Sequence, residues 1–168
     1  MRRLFSLPTL ALLAACGSAD AAPDAPGGET ALARASTDTQ LPSVIVYKTS
    51  TCGCCSGWVD HMRQAGFAVD ARDLPGNVEL MGVKVDAGVP GDMATCHTAL
   101  IDGYVVEGHV PAEQVKRLLA ERPAVAGIGA PGMPAGSPGM ESPNAPPYQV
   151  LSWGHDGSRA VFAEITPR

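Results

Sequence analysis

Strand-like and helix-like hydrophobic patterns alternate along the middle of the chain. Val44-Ile45-Val46-Tyr47 is a short β-branched and aromatic run, which predicts a buried strand. From Cys55 to Gln64 the apolar residues Trp58, Val59 and Met62 share one helical face, and Gly66 stops the pattern. Phe67-Ala68-Val69-Asp70-Ala71 alternates and predicts a second strand. Asn77 to Ala87 fits either helix or strand; Asn77 is placed to cap a helix and Gly88 to end one. Ala99-Leu100-Ile101 and Tyr104-Val105-Val106-Glu107 flank Asp102-Gly103, a strong two-residue hairpin signal. Pro111 then opens a helix through Arg122, with Val115, Leu118 and Leu119 facing the core and Pro123 ending it.

The order strand, helix, strand, helix, hairpin, helix predicts an α/β, thioredoxin-like fold: a small mixed central sheet flanked by helices. Beyond Pro123 the chain is rich in Gly and Pro from Gly129 to Met140, which predicts an irregular arm. Tyr148–Trp153 and Arg159–Ile165, around Gly154-His155-Asp156-Gly157, predict a closing hairpin packed on the same domain. The folded domain is therefore expected over 43–123, with the arm and hairpin over 124–168.

The N-terminal 42 residues follow different rules. Arg2 and Arg3 precede a short apolar run, Leu4 to Ala15, that ends in Leu13-Ala14-Ala15-Cys16-Gly17. Small residues directly before a cysteine match a bacterial lipobox, so 1–15 reads as a lipoprotein signal peptide and Cys16 as the lipidated mature N-terminus. Residues 16–42 then form a tether, too poor in large apolar residues to offset its own ordering entropy. Gly17 and Ser18 supply no acidic retention signal, which favours the outer membrane and a domain facing the periplasm.

The charge balance removes one class of partner. The 168 residues carry a net charge of −5, and removal of residues 1–15 takes away Arg2 and Arg3 and no acid. No basic run suited to nucleic acid remains, so none is expected as a partner.

Cysteine carries the chemistry. With Cys16 lipidated, Cys52, Cys54, Cys55 and Cys96 remain, three of them between a strand and a helix N-terminus, where thiolates form more readily. Cys52 and Cys55 have the C-x-x-C spacing of a thiol-disulfide exchanger. Cys54 argues against that use, because a third thiol inside the pair invites competing disulfides. For Cu(I), which prefers soft sulfur and accepts low coordination numbers, it is an advantage. Bridging thiolates would let four cysteines hold several ions. A tetrahedral zinc site more often draws on two separated pairs, which are missing here. Two plain disulfides would crowd into one tight turn.

His97 beside Cys96 adds an imidazole, and His109, just before the Pro111 helix, either points at a ligand or closes a loop. His61, about 10 Å along a helix from Cys54, is expected in solvent, and His155 sits in a turn. Met133 and Met140 are expected to pack across the domain. Met93 stays open as a thioether ligand because it lies near Cys96.

Tyr47-Lys48-Thr49-Ser50-Thr51-Cys52-Gly53-Cys54-Cys55 with Trp58 resembles the opening motif of the CopG-like family of copper-associated bacterial envelope proteins, long known as a domain of unknown function. Cys96-His97-Thr98-Ala99 through Gly103 to Ala112 is similar to the same family, as is Pro131-Gly132-Met133-Pro134 with Gly136 to Glu141. The likeness spans roughly Ser43 to Ile165. It implies a thioredoxin-like fold, copper binding or copper redox work in resistance, and Cys52, Cys54, Cys55 and Cys96 as ligands with His97 or His109 accessory. Three functions remain in competition: a module that sequesters Cu(I) or passes it to another envelope copper protein, a copper oxidoreductase, and a thiol-disulfide oxidoreductase using Cys52 and Cys55.

Overall fold

The computed structural model describes residues 40–167. The signal segment, Cys16 and nearly all of the tether lie outside these residues. The chain runs β1 (Val44–Thr49), α1 (Gly53–Gln64), β2 (Val69–Leu74), α2 (Asn77–Asp86), β3 (His97–Ile101), β4 (Tyr104–Gly108), α3 (Ala112–Glu121), β5 (Gly127–Ala130), β6 (Tyr148–Trp153) and β7 (Arg159–Ile165). The strands form one sheet in the order β2-β1-β3-β4-β5-β6-β7. β1 is parallel to β2 and antiparallel to β3, and β3 is antiparallel to β4. With its helices, this four-strand unit is a thioredoxin-like α/β fold.

Alternation along the strands gives the sheet two cores. On one face Val44, Val46, Ala99, Ile101, Val106 and Ile128 pack with Trp58, Val59 and Met62 of α1 and with Val115 and Leu118 of α3. On the other face lie Met93, Val105, Ala126 and Trp153, together with α2, which buries Leu80 and Lys84. At the β2 edge, Asp70, Arg72 and Asp73 line an exposed strand; charge there opposes pairing with another chain.

Several expectations shift for local reasons. The second strand begins at Val69 and not at Phe67. The Phe67 N–H bonds back to Met62 O at 3.1 Å and the Gly66 N–H to Arg63 O at 3.0 Å. With Gly66 at φ +96, this is a Schellman cap, and Phe67 is the buried hydrophobic contact that accompanies it. The ambiguous Asn77–Ala87 segment is helical, but Asn77 is its first residue; Gly76 holds the cap position without a side-chain bond. Pro111 likewise caps α3 and does not start it.

The larger departure is β5. Residues 127–130 fall where an irregular stretch was expected, yet they form a buried strand parallel to β4, reached through α3. Glycine is used here for space. A Cβ on Gly127 would run into Val105 O and the Trp153 ring, and one on Gly129 would meet Met93 Cε at 2.9 Å. The β6–β7 hairpin then extends the same sheet beyond β5.

Candidate metal centre

The site lies where β1 ends, α1 begins and β3 starts. Cys52 caps α1: its backbone is extended, and its Sγ accepts the Cys55 N–H at 3.3 Å. This fold of the turn sets Cys54 beside Cys52, sulfur to sulfur at 3.5 Å. Cys55 is fully buried, and Cys96 faces it from the start of β3, with its carbonyl 3.6 Å from Cys55 Sγ. Each of the four residues offers one sulfur, and all four sulfurs lie within 4.8 Å of one another. Cys52 and Cys55 are joined as a disulfide, whereas Cys54 and Cys96 are free thiols. All four sulfurs are therefore available as thiols only in the reduced chain.

Cys96, His97 and His109 form a second group at the same 4.8 Å limit. His109 Nδ1 donates to Pro138 O at 2.8 Å, which leaves the Nε2 lone pair of the neutral ring facing Cys96 Sγ at 3.0 Å. A backbone carbonyl that fixes the tautomer and frees the other nitrogen is a recurring support for metal-binding histidine. His97 is fully buried between Trp58, at 4.6 Å between ring centroids, and His109, at 5.0 Å. Its Nδ1 lies 3.6 Å from Cys96 Sγ, and its Nε2 has no hydrogen-bond partner among the described residues. The Trp58 indole N–H is held by Val110 O at 2.8 Å, so the wall behind both imidazoles is fixed.

Electrostatics keep these groups neutral in the metal-free chain. Burial, reinforced by the neighbouring Cys54, pushes the Cys96 thiol up to about 12. Burial holds His109 below its ordinary range. It holds His97 well below it, with the nearby His109 and Lys84 adding in the same direction. A soft cation reaching Cys96 must therefore displace a proton. The donor set of sulfur and neutral imidazole suits such a cation.

The Pro138–Glu141 stretch of the arm closes over the start of α1. A Cβ on Gly57 would lie 2.9 Å from Gly139 Cα, so the two glycines let backbone rest on backbone. The remaining expected residues go elsewhere. Met93 is buried in the second core and Met133 is exposed, contrary to the packing role expected of it. His155 is exposed as expected. His61 is not a free solvated side chain: its Nε2 accepts the Ala112 N–H at 3.0 Å and so caps α3. Lys84 and Glu107 are buried partners behind Cys96, and their only trace in the sequence is a lone acid in the apolar run of β4.

Together these features define a class: a thioredoxin-like domain with a cysteine- and histidine-lined centre able to take a soft metal ion. Comparison with known proteins narrows it. A protein-family model described as a protein of unknown function, DUF411, matches residues 93–140. A solved structure of a copper resistance protein CopG, form 2, is similar to this chain at 39% identity and a TM-score of 0.69, covering 75% of this chain and 99% of its own. Form 1 gives 40% identity and a TM-score of 0.69, with 76% and 99% covered. No curated protein sequence matches the chain. The chain belongs to the CopG-like copper resistance family.

Proposed function

We propose that this chain is a periplasm-facing, lipid-anchored protein that holds Cu(I) as its cargo through Cys52, Cys54, Cys55 and Cys96, with His109 and His97 as the imidazole side of the site, in copper resistance. The observation that carries this reading is the convergence of four sulfurs within 4.8 Å. Thiolate is the donor Cu(I) prefers, and the close spacing of the sulfurs supports bridging of more than one ion. The names of the related structures support copper as the metal.

The Cys52–Cys55 disulfide favours a second use of the same centre, copper redox turnover. In the balanced step two Cu(II) ions each take one electron from the Cys52/Cys55 dithiol. The S–S bond forms, two protons leave, and two Cu(I) ions remain beside Cys54 and Cys96. A dithiol donor then restores the pair by exchange. The disulfide equally suits a thiol-disulfide oxidoreductase, for which Cys54 is dispensable.

Anaerobic titration of the reduced chain with Cu(I), counting bound copper and free thiols together, tests the reading. Retention of more than one copper with all four thiols protected is the expected result. Absence of tight copper binding, with Cys54→Ser leaving disulfide exchange intact, would transfer the assignment to the exchanger.

A further inference from the structure

The carboxylate of Glu107 is fully buried on the sheet face that α2 covers. Its Oε1 accepts the Thr95 backbone N–H at 2.6 Å and the Thr95 hydroxyl at 3.1 Å, and it pairs with Lys84 Nζ at 2.6 Å. Its Oε2 accepts the Thr98 hydroxyl at 2.7 Å, and Thr98 Oγ1 accepts in turn from Lys84 Nζ at 2.9 Å. Thr95 and Thr98 bracket Cys96-His97, and Glu107 lies two residues before His109. One side chain thus ties together the two segments whose Cys96 Sγ and His109 Nε2 stand 3.0 Å apart.

Stability is a poor reason for such a pair. Desolvating two charges offsets most of their attraction, and an apolar pair of similar volume often serves as well. Holding the backbone that aims a ligand is a better one, since groups behind metal ligands typically change affinity by about 10–100-fold.

We propose that Glu107, neutralised by Lys84, is a positioning residue for Cys96. It fixes the Cys96 backbone so that the thiol faces Cys54 and His109, and it does not touch the metal. The proposal rests on the metal-centre reading above and deepens it.

Two double variants of the full chain test it. Lys84→Met/Glu107→Leu removes both charges and leaves Thr95 without its acceptor. Lys84→Met/Glu107→Gln is also neutral but keeps a side-chain oxygen for the Thr95 N–H. Each is reduced anaerobically. Cu(I) affinity is read by competition with a coloured Cu(I) chelator, and the alkylation rate of each cysteine by peptide mass spectrometry. Urea midpoints are followed in parallel. The Met/Leu variant is expected to weaken Cu(I) binding by about tenfold or more. Its Cys96 is expected to alkylate faster while Cys52 and Cys54 keep their rates, and the Met/Gln variant restores both readouts. A folded Met/Leu variant with parental affinity and parental Cys96 reactivity overturns the proposal. If that variant does not fold, Thr98→Val, which removes the contact to Oε2, takes its place under the same criteria. A parent that binds no Cu(I) would defeat the proposed function, while the Cys96 alkylation rates would still decide the positioning role.

Discussion

The two ends of β3 are built by opposite means. At the Cys96-His97 end, several side chains are held by partners distant in sequence: Thr95 and Thr98 by Glu107, His109 by Pro138, Trp58 by Val110. At the Ile101 end the chain reverses through Asp102 at φ +48 and Gly103 at φ +86, a turn that its own two residues specify. Beside it lies a plain apolar cluster around Trp153. One end spends contacts on aiming donor atoms; the other spends them on closing the fold. Changes at the first end should therefore act on metal, and changes at the second on stability.

The sharpest break in this division comes from the sulfurs. Cys54→Ser and Cys96→Ser, each in the reduced chain, are expected to lose most of the bound Cu(I), with urea midpoints close to the parent. Metal analysis after gel filtration reads the first quantity and denaturant unfolding the second. Gly127→Ala is the counterpart at the far end. The added methyl meets Val105 O and the Trp153 ring, and overpacking of this kind costs about 1–3 kcal/mol. Copper per folded chain should stay unchanged. Gly103→Ala comes next, forcing a side chain into the left-handed region at roughly 1 kcal/mol, again without effect on copper.

Acid acts through the buried imidazoles, His97 and His109 among them; the share that lies outside the candidate metal site belongs to His61. Burial lowers its pKa in the folded chain, where Nε2 must stay unprotonated to accept the Ala112 N–H. The unfolded chain takes up a proton below about pH 6.5. Stability from this group is thus fully present above that value and lost as pH falls from there through the lower folded value. Urea midpoints of the metal-free chain should drop across this window, and less steeply in His61→Gln.

What the sequence makes legible follows the same division. The β1 run, the amphipathic α1, the Asp102-Gly103 hairpin and the Pro111 helix each depend on neighbours within a few residues, so their patterns survive in one dimension. The Cys-x-Cys-Cys turn is local too. β5 is not, because Gly127 and Gly129 read as breakers until Trp153 and Met93 are seen filling the space they leave. His61 as the cap of α3 depends on a contact across 51 positions, and the spacing of helix residues gives no hint of it. The convergence of Cys96 on the first three cysteines was likewise a consequence of topology: β1 and β3 pair antiparallel, with Lys48 opposite His97.

X-ray absorption at the copper edge, on the reduced chain loaded with Cu(I), decides whether the cysteine sulfurs hold the metal. A first shell dominated by sulfur is expected, with sulfur scattering reduced in Cys54→Ser and in Cys96→Ser. A shell of nitrogen and oxygen alone, unaltered by either substitution, would contradict that expectation and place the copper away from the cysteine turn.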